Sequence, residues 1–421
     1  MNPLANDYVE ILRSPDPSSV YCYGPGICRL AGGRLIATAD LGGPGVVALP
    51  GLKGLRYGKT IQGKVFLSDD GGRNWRHATD FPFMMARPFT AGQRVYVLGV
   101  AGDLRIMCSK DGGETWSEQA TLTHGREWTQ APSNVWHANG CLYLAMNERP
   151  AKDAEGWLVS IEAPTLMRAS TDSDLTLASS WTFSESAMFR DFVRTEDLDY
   201  FGVPFYHTPA KEPIEVAPGR SCSPIGWLET NVIQIVDTDH YWYDPAGRTF
   251  HLWPRAHTGA TGYAAIAKVV ESGPNGGVGS MKTTLETAPS GRRMLYAPCP
   301  GGQMKFHLLY DEPTERYWLL STQATDSMSR ADRLPPERYG LPNNERRRLQ
   351  LHFSRNMIDW CFAGLVAMGD IEKASRHYAS MEVDGEDLHV LSRSGDAEAK
   401  NPHDTNFISF HTVKSFRDLV Y

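Results

Sequence analysis

The sequence has few of the features that mark several common protein classes. It contains no run of about 18 apolar residues, so no segment is expected to span a membrane. Its 42 Lys and Arg residues are outnumbered by 49 Asp and Glu residues, and the net charge is −7. A basic excess typical of nucleic-acid-binding proteins is therefore lacking. The sequence predicts neither a membrane partner nor a nucleic-acid partner, and it leaves the oligomeric state open.

Cysteine is scarce, and its pattern argues against a disulfide framework. The seven cysteines are odd in number and scattered, and none forms a Cys-x-x-Cys pair. The first residues contain neither the basic nor the apolar segment of a signal peptide. These features predict reduced cysteines and a cytoplasmic location, or a secreted or periplasmic one if a signal peptide was removed. Without a His-Glu-x-x-His motif or a tight His/Cys cluster, the sequence predicts no metal and no other cofactor.

Turn-forming residues and short β-type runs are abundant instead. The sequence contains 39 Gly and 27 Pro residues, and helical periodicity is rare. Apolar runs over residues 94–98, 141–144, 250–253 and 388–391 are bounded by Gly, Asp or Pro. Runs of this length between turn residues are typical of half-buried strands. The sequence therefore predicts an all-β fold.

An eight-residue pattern, S-x-D-G-G-x-x-W, occurs twice. It begins at Ser68 and again at Ser109, 41 residues later, and degenerate copies follow over 170–181 and 354–360. Asp and Gly at these positions close a tight turn, because Asp binds nearby backbone amides and Gly accepts a positive φ. We expect the Trp to pack back on the turn, which gives the repeat a structural role.

This repeat resembles the Asp-box, also called the BNR repeat, of the sialidase-like β-propeller superfamily. A weaker turn-and-strand pattern begins near six positions: Gly33, Gly92, Gly140, Gly247, Thr314 and Gly385. The spacing fits blades of roughly 40 to 50 residues plus loops. Together they predict one domain over residues 1–421 that is a six-bladed β-propeller, with seven blades as the alternative. The 107-residue gap between the third and fourth positions predicts an insertion at about residues 182–227.

The resemblance also implies where a ligand site lies. Asp-box turns lie on the face away from the site, and the loops between second and third strands surround the axial channel on the other face. Five of six such loops carry polar residues in this sequence. The candidate catalytic residues are Tyr23, Asp40, Glu229, His257 and His307. The candidate substrate-binding residues are His137, Asn231, Arg255, Gln303, Lys305, His377 and Arg393.

Two of these candidates come from local patterns. Strand alternation over 303–307 places Gln303, Lys305 and His307 on one face, toward the channel if this is an innermost strand. Arg255 lies where a predicted strand ends, and a guanidinium there suits bidentate binding of a sugar carboxylate. We expect Arg255 and Lys305 to face solvent in the empty channel and to bind one anionic group.

Sialidases of this superfamily present three arginines, a Tyr–Glu pair as nucleophile and an Asp acid. Here Tyr23 stands at the position of the first arginine, Lys305 is at best the third, and Arg255 is the one arginine retained. The sequence therefore favours other sugars over sialic acid. It is similar in kind to enzymes that remove terminal rhamnose from glucuronate and to lyases of uronic-acid polysaccharides.

The function expected from the sequence is an exo-acting glycoside hydrolase for an acidic or deoxy sugar at an oligosaccharide end. In this reading Asp40 or Glu229 protonates the leaving oxygen, while Arg255 and Lys305 bind a carboxylate. In the alternative, a polysaccharide lyase, Arg255 neutralises a uronate and an α-proton is removed by His257, His307 or Tyr23. A non-enzymatic propeller that binds glycans or proteins is the other alternative, because the fold alone does not decide function.

Overall fold

Six antiparallel sheets surround a common axis, and their innermost strands contact one another. The computed structural model describes residues 2–154, 158–193, 214–222, 226–257, 262–272, 279–326, 329–336 and 345–421. This arrangement confirms the predicted all-β, six-bladed propeller. The predicted insertion at 182–227 lies partly outside the described residues.

In blades 1 to 3 the chain runs from the axis outward. Blade 1 contains strands Tyr21–Arg29, Leu35–Gly42, Lys59–Ser68 and Arg76–Phe81, with Gly54–Arg56 paired to the third. Blade 2 contains strands Met84–Ala91, Arg94–Ala101, Asp103–Ser109 and Ala120–Thr121. Blade 3 has an inner strand in two pieces, followed by three further strands: Trp128–Thr129, Trp136–Ala138, Cys141–Glu148, Ala163–Ser170 and Thr182–Phe183.

Blades 4 to 6 complete the ring. Blade 4 contains strands Gly226–Ile233, Thr249–His257, Ala267–Glu271 and Met281–Thr284, extended by Tyr263–Ala265 and Tyr296–Pro298. Blade 5 contains strands His307–Asp311, Arg316–Thr322, Arg348–Ser354 and Cys361–Met368. Blade 6 contains strands Arg376–Asp384, Asp387–Ser394, Phe407–Val413 and Val9–Arg13. Its outermost strand comes from the start of the sequence, with Val9 opposite Phe410, so the two ends of the chain close the ring.

Small elements complete the described structure. Two hairpins are formed by Ile214–Ala217 with Arg220–Cys222 and by Glu286–Thr287 with Arg293–Met294. One short α-helix spans Phe189–Phe192. Short 3-10 helices span Pro44–Ala48, Leu158–Ile161, Ala178–Ser180, Ala331–Arg333 and Phe416–Leu419. None of the helices in the described residues is long and apolar enough to cross a membrane.

Apolar faces of neighbouring blades pack against each other and form the core. Trp128 and Trp253, which the sequence left open as sugar-stacking residues, are fully buried between blades. Six cysteines in the described part of the chain are free thiols: Cys22, Cys28, Cys108, Cys141, Cys299 and Cys361. Burial raises the pKa of the Cys22 thiol to about 12, which makes it unreactive as a thiolate.

The repeated S-x-D-G-G-x-x-W segments connect third and fourth strands. In the first copy, Ser68 Oγ accepts a hydrogen bond from the Gly72 amide and Asp70 Oδ1 accepts one from the Asn74 amide, both at 2.9 Å. Trp75 Nε1 donates to the Gly72 carbonyl at 2.9 Å. The second copy makes the same three bonds through Ser109, Asp111, Gly113, Thr115 and Trp116. Both turns lie at the opposite end of their blades from the loops between second and third strands.

Candidate active site

A cavity of about 430 Å³ opens at the end of the axis where the inner strands begin and the second strands end. Strands and loops from blades 1, 2, 3, 4 and 6 line it. Its polar lining includes Tyr23, Asp40, Arg56, Tyr57, Arg149, Glu162, Glu229, Tyr378, Arg393 and His403. A second cavity of about 390 Å³ lies at the other end of the inner strands, among residues that include His137, His307 and Glu382.

Four inner strands share a backbone irregularity beside the first cavity. Gly24, Met85, Glu229 and Tyr378 have φ angles of 52°, 54°, 55° and 50°. Each lies where the pairing between the first and second strand of its blade shifts register. Left-handed backbone at a residue other than glycine costs about 1–3 kcal/mol and clusters at functional sites. Here all four residues line the cavity.

The side chains of Tyr378 and Glu229 meet at this cavity. Tyr378 Oη donates a hydrogen bond to Glu229 Oε1 at 2.5 Å. Arg255 Nη1 donates to Tyr378 Oη at 2.9 Å and to Glu229 Oε2 at 3.2 Å. Burial and the charge of Glu229 raise the pKa of Tyr378, so its phenol is protonated in the empty site. Glu229 is placed to accept the phenol proton when the oxygen attacks an electrophile.

Two further guanidinium groups lie against the Tyr378 ring. The Cζ atoms of Arg393 and Arg346 are 5.1 Å and 5.5 Å from its centre. Arg346 Nη1 lies 2.9 Å from His377 Nδ1, so the imidazole accepts this hydrogen bond. Burial lowers the pKa of Arg346 to about 10, and the group stays charged at neutral pH. With Arg255, three cations therefore surround one tyrosine, an arrangement suited to a carboxylate ligand.

Asp40 lies beneath the cavity, on the second strand of blade 1. It is fully buried, and its Oδ2 accepts a hydrogen bond from the Met85 amide at 2.6 Å. A Cβ atom at Gly24 would lie 2.0 Å from Asp40 Oδ2, so this position requires glycine. Burial raises the pKa of Asp40 well above its ordinary value and favours the neutral acid.

A three-residue cluster lies at the cavity edge between blades 1 and 6. Asp404 Oδ1 accepts a hydrogen bond from Tyr23 Oη at 2.6 Å and lies 2.9 Å from His403 Nδ1. Arg393 Cζ lies 4.2 Å from the centre of the Tyr23 ring, and the guanidinium donates to the His403 carbonyl. The bond from His403 keeps the pKa of Asp404 below its ordinary range. Asp404 therefore orients two residues that face the cavity.

The opposite wall carries an ion pair. Arg149 Nη2 and Glu162 Oε1 are 2.7 Å apart, and Arg149 Nη1 donates to Tyr57 Oη at 2.6 Å. Glu162 is fully buried, and burial raises its pKa to about 7. Arg56 is 8% exposed and packs its guanidinium 4.7 Å from the centre of the Tyr57 ring. Within the described residues no group of three or more His, Cys, Asp or Glu side chains is placed to hold a metal ion.

The structure brings five of the predicted residues together at this cavity. Tyr23, Asp40, Glu229 and Arg393 line it, and Arg255 binds Glu229 from behind. Two of the expected solvent exposures are wrong, because Arg255 is only 3% exposed and Lys305 only 1%. Both cations are covered by neighbouring blades where their polar atoms find partners.

Lys305 is committed to the fold rather than to the cavity. Its Nζ donates to the carbonyl of Ala379 and to Ser380 Oγ, and it joins blade 5 to the inner strand of blade 6. The predicted strand over 303–307 begins only at His307, since the preceding residues form a turn. Burial lowers the pKa of Lys305 to about 7.

The remaining predicted residues lie apart from the Tyr378–Glu229 pair or behind it. Asn231 binds the backbone of Phe306 and Leu308 at 3.1 Å on both sides of its amide and links blades 4 and 5. Gln303 is buried, and its carbonyl accepts from Arg255 Nε at 2.7 Å. The other four lie in the far cavity, behind Arg346 or at a strand end: His137, His307, His377 and His257.

Sequence reasoning missed Tyr378 and Arg346. Tyr378 directly follows the candidate His377, and the superfamily resemblance already implied a Tyr–Glu pair, so the last inner strand was the place to look. Arg346 lies in a run of three arginines, a pattern that is usually a solvated face. The structure buries Arg346 to 4% exposure beside Tyr378.

No family model matches the chain. Over 85 residues it is 36% identical to the vacuolar protein sorting/targeting protein 10 of Neosartorya fischeri and to that of Aspergillus fumigatus. The match covers 20% of this chain and 5% of the length of those proteins.

Solved structures resemble the chain over nearly its whole length. A Hadza microbial sialidase has a TM-score of 0.52 at 15% identity, covering 94% of this chain and 66% of that one. A Trypanosoma rangeli sialidase in complex with the inhibitor DANA has a TM-score of 0.54 at 12% identity, covering 100% and 61%. A Penicillium chrysogenum α-L-arabinanase has a TM-score of 0.51 at 11% identity, covering 98% and 99%. These likenesses support a sialidase-like propeller fold.

Proposed function

We propose that the protein is an exo-acting, retaining glycoside hydrolase that removes a terminal acidic sugar, with Tyr378 as nucleophile and Glu229 as its base. The observation that carries this proposal is the 2.5 Å hydrogen bond between Tyr378 Oη and Glu229 Oε1 at the cavity. A phenol with a pKa near 10 is a weak nucleophile until a base takes its proton. Glu229 supplies that base, and Arg255 holds both oxygens in place.

The proposed reaction has two steps. Tyr378 Oη attacks the anomeric carbon while its proton passes to Glu229, and the glycosidic bond breaks as the leaving oxygen takes a proton from an acid. The resulting sugar–tyrosine intermediate is then attacked by water. Tyr378 leaves and recovers its proton from Glu229, so the enzyme returns to its starting state.

The distribution of charge supports an acidic sugar. Arg346 and Arg393 lie against the ring of Tyr378, so a carboxylate bound there is close to the carbon that Tyr378 attacks. This proximity favours 2-keto acid sugars such as sialic acid, whose carboxylate is attached to the anomeric carbon. The sequence argument against sialic acid rested on missing arginines, and these two guanidinium groups remove that reason. Uronic acids and rhamnose, which the sequence favoured, become comparison substrates.

The neighbours and the cavity size agree with this proposal. The similar solved structures are described as sialidases and as an α-L-arabinanase complexed with arabinobiose. A volume of about 430 Å³ lies within the range of small-molecule sites.

The experiment that tests the proposal is hydrolysis of a panel of 4-methylumbelliferyl glycosides. The panel contains N-acetylneuraminic acid, glucuronic acid, galacturonic acid, α-L-rhamnose and α-L-arabinofuranose. We expect turnover of an acidic member, and a loss of about a thousandfold or more in kcat/KM for Tyr378→Phe and for Glu229→Gln. Tyr310→Phe, which alters a tyrosine at the far cavity, is the matched control. A 3-fluoro glycosyl fluoride of the active sugar should label Tyr378, detected by peptide mass spectrometry.

Three results would count against the proposal. Full activity of Tyr378→Phe would exclude the tyrosine as nucleophile. An unsaturated product from uronic-acid polysaccharides would assign the lyase alternative. Glycan binding without turnover of any panel member would favour the non-enzymatic propeller.

A further inference from the structure

The proposed hydrolysis needs an acid that protonates the leaving oxygen, and three cavity groups are available for that task. Asp40 and Glu162 are fully buried beneath and beside the cavity, and their carboxylates bind the Met85 amide and Arg149. An exo-acting enzyme leaves the departing part of its substrate pointing toward solvent. A group that reaches that oxygen must therefore lie at the cavity edge.

His403 lies there. Its side chain is 54% exposed, and it lines the cavity next to Tyr23 and Arg393. Its Nδ1 is 2.9 Å from Asp404 Oδ1, which fixes the Nδ1–H tautomer and leaves Nε2 for exchange of a proton with a ligand. A histidine oriented by a carboxylate in this way is the arrangement of many catalytic acid–base pairs.

The loop that carries this pair is fixed by its own hydrogen bonds. Asn401 Oδ1 accepts from the amides of His403 and Asp404 at 2.8 Å and 2.7 Å. Asn401 Nδ2 donates to Asp404 Oδ2 at 3.1 Å, while Tyr23 Oη occupies the other carboxylate oxygen. All four acceptor and donor positions are thereby committed, and the imidazole has a defined position relative to Arg393.

We infer that His403, oriented by Asp404, is the general acid and base of the reaction in the proposed function. In the first step, His403 imidazolium gives its Nε2 proton to the leaving oxygen as Tyr378 Oη bonds to the anomeric carbon. In the second step, neutral His403 takes a proton from the attacking water as the bond to Tyr378 breaks. One water is consumed, and the sugar and the alcohol are released. The inference rests on the proposed function and adds to it the identity of the proton donor.

Charged neighbours explain how His403 acquires its proton. Arg393, and then burial, lower the pKa of His403 to about 4 in the empty site, with a further contribution from Arg346 and an opposing one from Asp404. A sugar carboxylate bound to Arg393 neutralises that charge and raises the pKa of the imidazole. The substrate therefore brings the proton that the first step uses.

The test compares two leaving groups on the same sugar. Substrates are the 4-nitrophenyl and the methyl glycosides of the acidic sugar that the panel identifies, and variants are His403→Gln, Asp404→Asn and Tyr378→Phe. We expect His403→Gln to lose at least a hundredfold in kcat/KM on the methyl glycoside and less than tenfold on the 4-nitrophenyl glycoside, because nitrophenolate leaves without a proton. Azide should restore turnover of the 4-nitrophenyl glycoside by His403→Gln and give a glycosyl azide. His124→Ala, at an exposed histidine outside the cavity, is the matched control.

Asp404→Asn tests orientation separately from proton transfer. We expect this variant to lower kcat more than it changes KM and to shift the pH profile, because the imidazole loses its tautomer preference. Equal losses on both glycosides with His403→Gln, or no loss on either, would overturn the inference. If Tyr378→Phe is also fully active, the proposed function fails with it; if only the histidine variants are silent, the proposed function stands and another group is the acid.

A second measurement uses no turnover. The His403 imidazole is titrated by NMR with and without the 2,3-dehydro derivative of N-acetylneuraminic acid. We expect its pKa to rise by at least one unit when the anion binds, and the shift to be absent in Arg393→Ala. An unchanged pKa with the inhibitor bound would contradict the role of Arg393 in loading the proton.

Discussion

The guanidinium of Arg393 lies 4.2 Å from the centre of the Tyr23 ring. Tyr23 stands where the superfamily resemblance implies the first of three arginines, and Arg393 comes from the second strand of blade 6. The tyrosine thus replaces an arginine on one strand while supporting an arginine from another. The positive charge of the cavity is kept, but it reaches the cavity from a different blade.

Arg393 is expected to bind the substrate carboxylate. Arg393→Ala should raise KM for the acidic substrate by about tenfold to a hundredfold, since a charge-assisted hydrogen bond contributes about 1.5–3 kcal/mol. Initial-rate kinetics on the acidic glycoside and on its carboxyl-reduced analogue measure this effect. The loss should shrink on the reduced analogue, and equal losses on both would place the carboxylate elsewhere.

Gly24 is expected to be required by a contact as well as by its backbone angle. Gly24→Ala places a Cβ 2.0 Å from Asp40 Oδ2, at a φ of 52°. The matched control is Gly140→Ala, whose φ is 68° and whose Cβ would meet no atom within 4 Å. Chemical denaturation should show a loss of about 1 kcal/mol for the control, from the backbone term alone, and a clearly larger loss for Gly24→Ala. Equal losses would mean that Asp40 moves without cost.

Lys305 is expected to act in stability. Lys305→Ala removes a buried donor from the carbonyl of Ala379 and leaves a cavity between blades 5 and 6. We expect a loss of about 2–4 kcal/mol in the free energy of unfolding, by analogy with buried truncations. Lys305→Met, which keeps the side-chain length, should recover part of it. Unchanged stability of both variants, measured by urea unfolding, would contradict this structural role.

The turn repeat is expected to contribute to stability and not to catalysis. Ser109 is buried, and its hydroxyl accepts from the Gly113 amide at 2.7 Å. Ser109→Ala should therefore lower the free energy of unfolding by about 1–2 kcal/mol, and Ser68→Ala should have a similar effect. Activity per folded molecule should stay unchanged in both. A selective loss of kcat at native stability would place these turns near the active site.

Glu162 is expected to make stability depend on pH. Burial raises its pKa to about 7 in the folded protein, against about 4.5 when unfolded, so folding is favoured while the carboxyl is protonated. Its contribution is complete below about pH 4.5 and is lost as the pH rises to about 7, by at most about 3 kcal/mol. Thermal unfolding of the wild type and of Glu162→Gln from pH 4 to 8 should show a flatter profile in the variant. Parallel profiles would contradict the raised pKa.

Local sequence was sufficient for the architecture. The two S-x-D-G-G-x-x-W segments and the recurring turn-and-strand pattern predicted the blades, because each blade is built from neighbouring residues and short turns. The same reasoning placed Asp40, Glu229, Arg255 and Arg393 near one face, since second strands and their following loops end there. These predictions depend on chain direction within one blade and need no contact between blades.

Only the tertiary structure decided which side chains meet. Tyr378 and Glu229 are 149 residues apart, and their hydrogen bond exists because blades 4 and 6 face the same axis once the ring is closed. Their left-handed backbone angles turn both side chains toward the cavity, and the alternation of an ordinary strand does not predict that turn. Burial likewise depends on neighbouring blades: it took Lys305 out of the channel and brought Arg346 into the site. The sequence determined the blades, and the closing of the ring determined the chemistry at their centre, because contacts across a propeller axis join residues that no local pattern connects.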